Sequence, residues 1–406
     1  MELINKIRKN RNIIGLTGAC LINNILYMFL NTFMVAYFIT LTNYDYRLIS
    51  IYYALSFVGI LLTFLVCART IKNKSQVIVF RSGIVLYCIY ILMIALLKEK
   101  ITIYYAYLGF FYGIVQGLFW VACHTLINEY TKNVENSFIS IKSILSKILK
   151  IFFPIIFGVS IELTSFSYIA KIVLLLSIIQ FSFSLLIKDK EKISNKKYDL
   201  KEYIEYIKHN NKFKIVYKIG ICDGIVHYLL ETLITILVVM TFKTTLSLGI
   251  LTTIFSICSM LSVYIFQYKF KSNKNILKFS GIAMTISVVL LLFDINKISI
   301  IIYNLCNSVF LVLLLNTAET KSYDIINEDN KVVEDYIVEH QITWQIVLNI
   351  SRIVGYLVLF IASLFNNMIV FKILLLLVTI VIIVYSRLMI SLEEEKTIES
   401  KTICNK

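Results

Sequence analysis

The fold is decided by long apolar stretches such as residues 213–241, FKIVYKIGICDGIVHYLLETLITILVVMT. Each such stretch is near or above the ~20 residues that a helix needs to cross the hydrocarbon core of a bilayer. Eleven more lie at residues 13–40, 48–68, 76–97, 102–127, 138–163, 166–187, 244–267, 277–294, 297–318, 337–364 and 367–390. The sequence therefore predicts an all-α membrane protein with twelve transmembrane helices.

The composition argues against a single water-soluble core. Hydrophobic residues make up 58% and charged residues 16% of the 406 positions, whereas soluble domains average ~45–50% apolar and ~25% charged. One proline and 13 glycines argue against a fold rich in strands or loops. The eight cysteines show no CxxC spacing and fall mostly inside apolar stretches, where free cysteine acts as a small apolar residue. Neither disulfides nor a metal site nor a cofactor is predicted.

The formal net charge of +15 indicates orientation in the membrane rather than nucleic-acid binding. Lysine and arginine are concentrated before the first span and in the connections at 69–81, 188–212 and 269–278. The connections between them, such as 42–47 and 365–367, carry little positive charge. Because basic connections stay in the cytoplasm, we predict a multi-pass protein of the cytoplasmic membrane with both termini cytoplasmic. Its basic connections meet anionic lipid headgroups, and nucleic acid is not a partner.

The longest polar stretch, residues 188–212, divides the spans into two sets of six. Asp199 stands where a helix cap would, and four apolar residues after it follow helical spacing: Leu200, Tyr203, Ile204 and Ile207. The pattern predicts a short amphipathic helix on the cytoplasmic surface, with a disordered basic linker as the alternative. The predicted organisation is two pseudo-symmetric six-helix bundles at 1–187 and 213–392, a linker at 188–212 and a cytoplasmic tail at 393–406.

The two halves carry polar residues at matching places. Span 7 has polar residues 200 positions after those of span 1: Asn23, Tyr27, Asn31 and Thr32 are followed by Asp223, His227, Glu231 and Thr232. In spans 4 and 10, Asn128 and Glu319 correspond. Internal repeats are typical of transporters whose solute site lies near mid-membrane between two bundles.

With six plus six spans and a basic central loop, the whole chain resembles the major facilitator superfamily. The loop after span 2, Arg69-Thr70-Ile71-Lys72-Asn73-Lys74, keeps the basic residues of a family motif but lacks its Gly and Asp. Pro154 and Gly158 in span 5 are similar to part of an exporter motif. Residues 113–120, GIVQGLFW, look like span 4 of the Gram-positive YqgE-like transporter subgroup. The resemblance implies proton- or ion-coupled movement of a small solute, with export as the favoured direction.

Span 7 carries the most informative ionisable residues. Asp223, His227 and Glu231 follow i, i+4, i+8 spacing and share one helix face. A charged group at the bilayer centre costs at least ~2.5–3.5 kcal/mol, so it usually meets a partner or a wet cavity. These three residues, with Glu319 near the end of span 10, are predicted to couple protons. The alternative is structural, with the acids paired to lysine or arginine and Glu319 reaching water.

Nine further residues are predicted to contact the solute. They come from spans 1, 4 and 11: Asn23, Tyr27, Asn31, Trp120, His124, Asn128, Trp344, Asn349 and Arg352. Aromatic rings in span 4 can stack on a solute, and Arg352 can bind an anion or neutralise the acids of spans 7 and 10. The alternative for His124 is a hydrogen-bonded interior residue without contact to solute.

These features predict a secondary active transporter that works by alternating access as a monomer, with a small solute and membrane lipid as partners. The sequence has no Walker phosphate loop, so ATP-driven transport is not supported. One alternative is a membrane-embedded enzyme acting on a lipid or lipid-linked substrate through His124, His227 and nearby acids. Another is a transporter-like sensor that binds a ligand without moving it. Short loops and ionisable groups inside the spans favour transport.

Overall fold

The computed structural model describes residues 10–43, 45–73, 75–131, 135–188, 198–269, 274–365 and 367–404. Helices make up nearly all of these ranges, and no strand occurs within them. In hydrocarbon each backbone N–H and C=O must find its partner inside the protein, which a helix achieves within one segment. The predicted all-helical class is confirmed.

We number the helices α1 to α14. Six precede the linker: α1 Arg11–Leu41, α2 Arg47–Asn73, α3 Gln76–Leu97, α4 Tyr105–Thr131, α5 Glu135–Leu163 and α6 Phe166–Ser184. The short α7, Leu200–Lys208, lies in the linker. Seven follow: α8 Asn211–Phe242, α9 Thr245–Lys269, α10 Lys274–Phe293, α11 Lys297–Cys306 continued by Val312–Glu328, α12 Asn330–Asp335, α13 Ile337–Leu364 and α14 Met368–Cys404.

Twelve of these helices match the predicted spans. Among the described residues, 11 helices are long and apolar enough to cross a membrane. The remaining predicted span, 277–294, corresponds to α10. Its described apolar part, Leu277–Phe293, is shorter than the other spans. The remaining two helices, α7 and α12, are too short to span the hydrocarbon core.

The chain divides into two compact units. The first comprises Met1–Tyr198 and Val238–Ile254, and the second comprises Asp199–Leu237 and Phe255–Lys406. Both α8 and α9 therefore contribute residues to each unit. The sequence instead predicts a boundary at residues 188–212, which assigns residues 238–254 to the second half. That boundary stays a prediction.

In the first unit, α2 and α4 pack with their backbones in near contact. Gly109, Gly113 and Gly117 repeat every four residues along α4 and face α2. A Cβ atom on Gly113 would lie 2.0 Å from the carbonyl oxygen of Ser56, and one on Gly109 would lie 2.3 Å from that of Tyr52. Small residues at this spacing let membrane helices approach closely, which maximises van der Waals contact between them.

The second unit contains a similar contact between α8 and α13. A Cβ atom on Gly220 would lie 2.8 Å from the ring of Trp344. One on Gly224 would lie 2.7 Å from both the carbonyl oxygen of Leu348 and the Cβ of Ser351. The helix that carries Asp223, His227 and Glu231 is thereby held beside the helix that carries Arg352.

Among the described residues, two membrane helices contain a π turn, and in each a carbonyl accepts a hydrogen bond from a neighbouring helix. The turns are Phe29–Phe33 in α1 and Asn307–Leu311 in α11. The Asn31 carbonyl accepts from the Tyr53 hydroxyl at 3.3 Å, and the Val309 carbonyl accepts from the Ser262 hydroxyl at 3.0 Å. The sequence pairs α1 with α8, and α8 is α-helical throughout. The two helices therefore match in the positions of their polar residues but differ in local backbone conformation.

The linker helix α7 begins at the cap that the sequence indicates. The Asp199 carboxylate accepts the backbone N–H groups of Lys201 and Glu202 at 3.0 and 3.1 Å. Such a cap satisfies donors that have no partner inside the helix. The backbone N–H of Asp199 itself donates to Glu339 at 3.1 Å, which ties the start of α7 to α13.

One side of α7 is buried against protein. Tyr203 and Ile207 are buried, whereas Ile204 on the same short helix is exposed. Tyr203 and Ile207 therefore pack on the rest of the second unit, and Ile204 of the predicted apolar face does not. Its contact with the membrane surface stays a prediction.

Replacing Gly113 by alanine tests whether the close α2–α4 contact stabilises the first unit. The added Cβ would lie 2.0 Å from the Ser56 carbonyl oxygen, so the helices must separate, and overpacking of this kind costs ~1–3 kcal/mol. We expect a lower unfolding temperature for the detergent-purified variant by circular dichroism. Gly281→Ala is the control, because its Cβ would meet Ser386 at an ordinary 3.4 Å. Equal losses in both variants would contradict the explanation.

Candidate functional site

The ionisable residues predicted on span 7 line one face of α8. The Nδ1 atom of His227 lies 3.8 Å from the Oδ1 atom of Asp223. The Asp223 side chain is 20% exposed and that of His227 is 49% exposed, while Glu231, one turn further on, is half-buried. The structure therefore forms a carboxylate–imidazole pair that is partly buried at its acid and open at its imidazole.

Arg352 of α13 lies against this face. Its guanidinium carbon sits 4.1 Å from the centroid of the Tyr228 ring, and its Nη1 donates to the Oδ1 of Asn349 at 3.3 Å. The residue is only 8% exposed and interacts electrostatically with Asp223. A cation over an aromatic face gains ~0.5–2 kcal/mol, and a buried charge requires compensation. Arg352 thus provides positive charge beside the acids of α8.

Tyr356 extends the cluster towards Glu231. Its hydroxyl is 2.6 Å from the Thr232 hydroxyl and donates to the Tyr228 carbonyl at 3.0 Å. It also interacts electrostatically with Glu231. Sequence reasoning missed Tyr228 and Tyr356, because the chain has 26 tyrosines and nothing in the composition singles out these two. The available signal was position: Tyr356 lies one helical turn after Arg352, on the same face.

The other two α13 candidates contact neighbouring protein groups. Asn349 is fully buried, and its Nδ2 donates to the Gln345 carbonyl at 2.7 Å. The Trp344 ring packs on Gly220 and lies 6.3 Å from the Tyr217 ring. Trp344 therefore contacts α8, whereas the hydrogen bonds of Asn349 stay within α13. Contact of either residue with a solute stays a prediction.

In the first unit, α4 presents a column of polar and aromatic side chains at helical spacing. The Trp120 ring stacks on that of His124 with 5.4 Å between centroids, and its Nε1 donates to the Oε1 of Gln116 at 2.9 Å. Gln116 in turn donates to the Tyr87 hydroxyl at 3.0 Å. Trp120 and His124 are half-buried, so this pair of rings is the accessible end of the column.

The candidates on α1 lie deeper in the first unit. Asn23 is 0% exposed and Asn31 is 7% exposed, whereas Tyr27 is half-buried. Within the part of the chain that the structure describes, neither amide atom of Asn23 has a hydrogen-bond partner. Of the three, Tyr27 is the one whose side chain is most accessible.

Two candidates cannot be placed by their side chains. The side chains of Asn128 and Glu319 lie outside the described residues, so their predicted roles stay predictions. Elsewhere in the described ranges, no group of three or more His, Cys, Asp or Glu residues is arranged to hold a metal ion.

A sequence profile described as the Major Facilitator Superfamily matches residues 16–324. No curated protein matches the sequence. The similarity of 113–120 to the YqgE-like subgroup stays a prediction.

Several solved structures share the fold. The nucleoside transporter NupG is 13% identical over 93% of this chain and 98% of its own, with a TM-score of 0.65. A bacterial homologue of the iron transporter ferroportin, in its inward-facing state, is 13% identical over 93% of this chain and 97% of its own, with a TM-score of 0.69. A bacterial metal transporter is 12% identical over 94% and 98%, with a TM-score of 0.66. At these identities the likeness shows the fold alone.

The contact between Arg352 and Tyr228 predicts different outcomes for two substitutions. Tyr228→Leu removes the aromatic face beneath the guanidinium and should lower the free energy of unfolding by ~0.5–2 kcal/mol. Tyr228→Phe keeps the ring and should retain most of this stability. Unfolding in mixed detergent–SDS micelles measures both. A loss as large in the Phe variant as in the Leu variant would assign the effect to the hydroxyl instead.

Proposed function

From the premise that this chain belongs to the Major Facilitator Superfamily, we propose that it exports a small solute across the cytoplasmic membrane in exchange for protons. Family membership makes the protein a secondary transporter. The alternative of a membrane-embedded enzyme, which the sequence left open, is therefore abandoned. Coupling to protons, the direction of transport, the monomeric state and the cytoplasmic placement of both termini are parts of the proposal.

The single observation that carries the proposal is the position of Arg352 beside the acids of α8. Arg352 is buried and interacts electrostatically with Asp223, so the ionised acid compensates its charge. A proton bound by the acid removes that compensation and leaves a buried guanidinium with less negative charge around it. Because an uncompensated buried charge is costly, protonation changes the relative stability of conformations that place Arg352 differently.

His227 gives protons a route to this pair. Its imidazole is about half exposed and lies 3.8 Å from Asp223, and imidazole is the side chain best suited to exchange protons near neutral pH. A proton taken up at His227 can pass to Asp223 after a small rearrangement. Glu231, one turn away and near Tyr356, is the second acceptor in the proposed relay.

The proposed solute contacts in the first unit are Trp120, His124 and Tyr27. Trp120 and His124 form the accessible ring pair on α4, and a ring pair of this kind offers a stacking surface to a planar or apolar group. The proposed export direction rests on the likeness of Pro154 and Gly158 to an exporter motif. These two residues pack closely on Gly249.

Neutralising Glu231 tests proton coupling. Purified protein in proteoliposomes is given a mixture of metabolites, and lumenal contents are measured by mass spectrometry with and without an imposed pH gradient. The wild type should move at least one metabolite in a gradient-dependent way. Glu231→Gln should lose the gradient-driven part, because the side chain can no longer take up a proton.

The matched control is Glu99→Gln, which removes an equivalent carboxylate from an exposed connection. It should transport as the wild type does. Undiminished gradient-driven transport by Glu231→Gln would contradict the role of this acid. Transport by the wild type that is independent of the gradient would contradict proton coupling altogether.

A further inference from the structure

The linker helix α7 connects the beginnings of the two helices that carry the ionisable cluster. The Tyr203 hydroxyl is hydrogen-bonded to the Nδ1 of His340 at 2.8 Å and to the Tyr217 hydroxyl at 2.9 Å. The Tyr217 hydroxyl is also 3.1 Å from the Nδ1 of His340. Tyr217 belongs to α8 and His340 to α13, so three elements of the second unit meet in one closed triad.

The triad is shielded from water. Tyr203 is 0% exposed and His340 is 4% exposed, and the Phe213 ring covers His340 edge-on at 6.3 Å. Burial, reinforced by the neighbouring Tyr217, raises the pKa of Tyr203 well above its usual range. Tyr203 therefore remains a protonated hydroxyl at physiological pH. In such surroundings, leaving a polar partner without its bond costs ~1–3 kcal/mol.

Two further bonds fix α7 to the start of α13. The backbone N–H of Asp199 donates to Glu339 at 3.1 Å, and the hydroxyl of Tyr336 donates to Glu202 at 2.6 Å. Glu339 is fully buried and adjoins His340. The position of α7 on α13 is thus set by its cap and its first turn as well as by the triad.

Beginning at the triad, α8 and α13 contact each other through successive residue pairs at a nearly constant sequence offset. We call each pair a rung. The successive pairs are Tyr217–His340, Gly220–Trp344, Gly224–Leu348, Tyr228–Arg352 and Thr232–Tyr356. Two helices paired in this way run in parallel with a fixed register. A slip by one helical turn is a translation of ~5.4 Å, enough to take the Arg352 guanidinium beyond the ~6 Å range of a cation over the Tyr228 ring.

We propose that α7 is a brace that fixes the register of α8 against α13, and that Tyr203 is a positioning residue for the Asp223–Arg352 pair. The triad closes the first rung, so the bonds of Tyr203 resist sliding of one helix along the other. The brace itself is independent of the proposed function. Its consequence for proton coupling rests on that function.

A neighbouring residue of α7 provides a matched control. The Tyr206 hydroxyl donates to both carboxylate oxygens of Asp329, at 2.8 and 3.1 Å, and its ring lies under the Lys331 ammonium at 4.6 Å. Asp329 and Lys331 belong to the α11–α12 connection and to α12, not to α8 or α13. Tyr206→Phe therefore removes a tyrosine hydroxyl bond from the same helix without touching the first rung.

Trp344 reports on the register directly. The chain has two tryptophans, so Trp120→Phe leaves Trp344, whose ring contacts Gly220 of α8, as the single fluorophore. In this background we expect Tyr203→Phe to shift the emission maximum and to increase acrylamide quenching, because the second rung loosens. Tyr217→Phe should do the same, and Tyr206→Phe should leave both unchanged. An unchanged signal in Tyr203→Phe and Tyr217→Phe, or an equal change in Tyr206→Phe, overturns the proposal.

The pH profile of gradient-driven transport provides the second readout. With Trp120 restored, Tyr203→Phe should displace the midpoint of the profile by about half a pH unit or more, whereas Tyr206→Phe should keep the wild-type midpoint. A fluorescence change without any pH-dependent transport in the wild type supports the brace and refutes the proposed coupling. A wild-type midpoint in Tyr203→Phe overturns its role as a positioning residue.

Discussion

Lipid tails are as apolar as leucine, so helices inside a bilayer gain little by hiding apolar side chains from them. Their association depends on how closely their backbones approach and how well their surfaces fit. In this chain, glycine allows close backbone approach between α2 and α4 at Gly113 and between α8 and α13 at Gly224. A larger residue at either position would force the two helices apart.

The ionisable cluster depends on that contact. Gly220 and Gly224 bring α8 against α13, and Arg352 then lies over Tyr228 and near Asp223. An arginine or an acid alone in hydrocarbon would oppose membrane insertion. Held in register, the two kinds of charge compensate each other, which lowers the cost of burying them. The same arrangement is the basis of the proposed proton coupling.

The sequence predicted the faces correctly where the signal was local. The spacing of Asp223, His227 and Glu231 placed them on one face of a long helix, and the Asp199 cap located the start of α7. It did not indicate which groups those faces meet. Arg81, which counted only as a cytoplasmic positive charge, donates to the Ile187 carbonyl at 2.8 Å and so holds the end of α6.

By itself, the sequence determined the helical class, the approximate positions of the spans and the family, because span length, hydropathy and helical period are properties of contiguous residues. The tertiary structure alone decided that Asn23 is buried, that Tyr228 supports Arg352, and that Tyr203 joins α8 to α13. These contacts link residues more than a hundred positions apart. They depend on the rotation and register of one helix against another, which the backbone approach at glycine fixes and which no local pattern encodes.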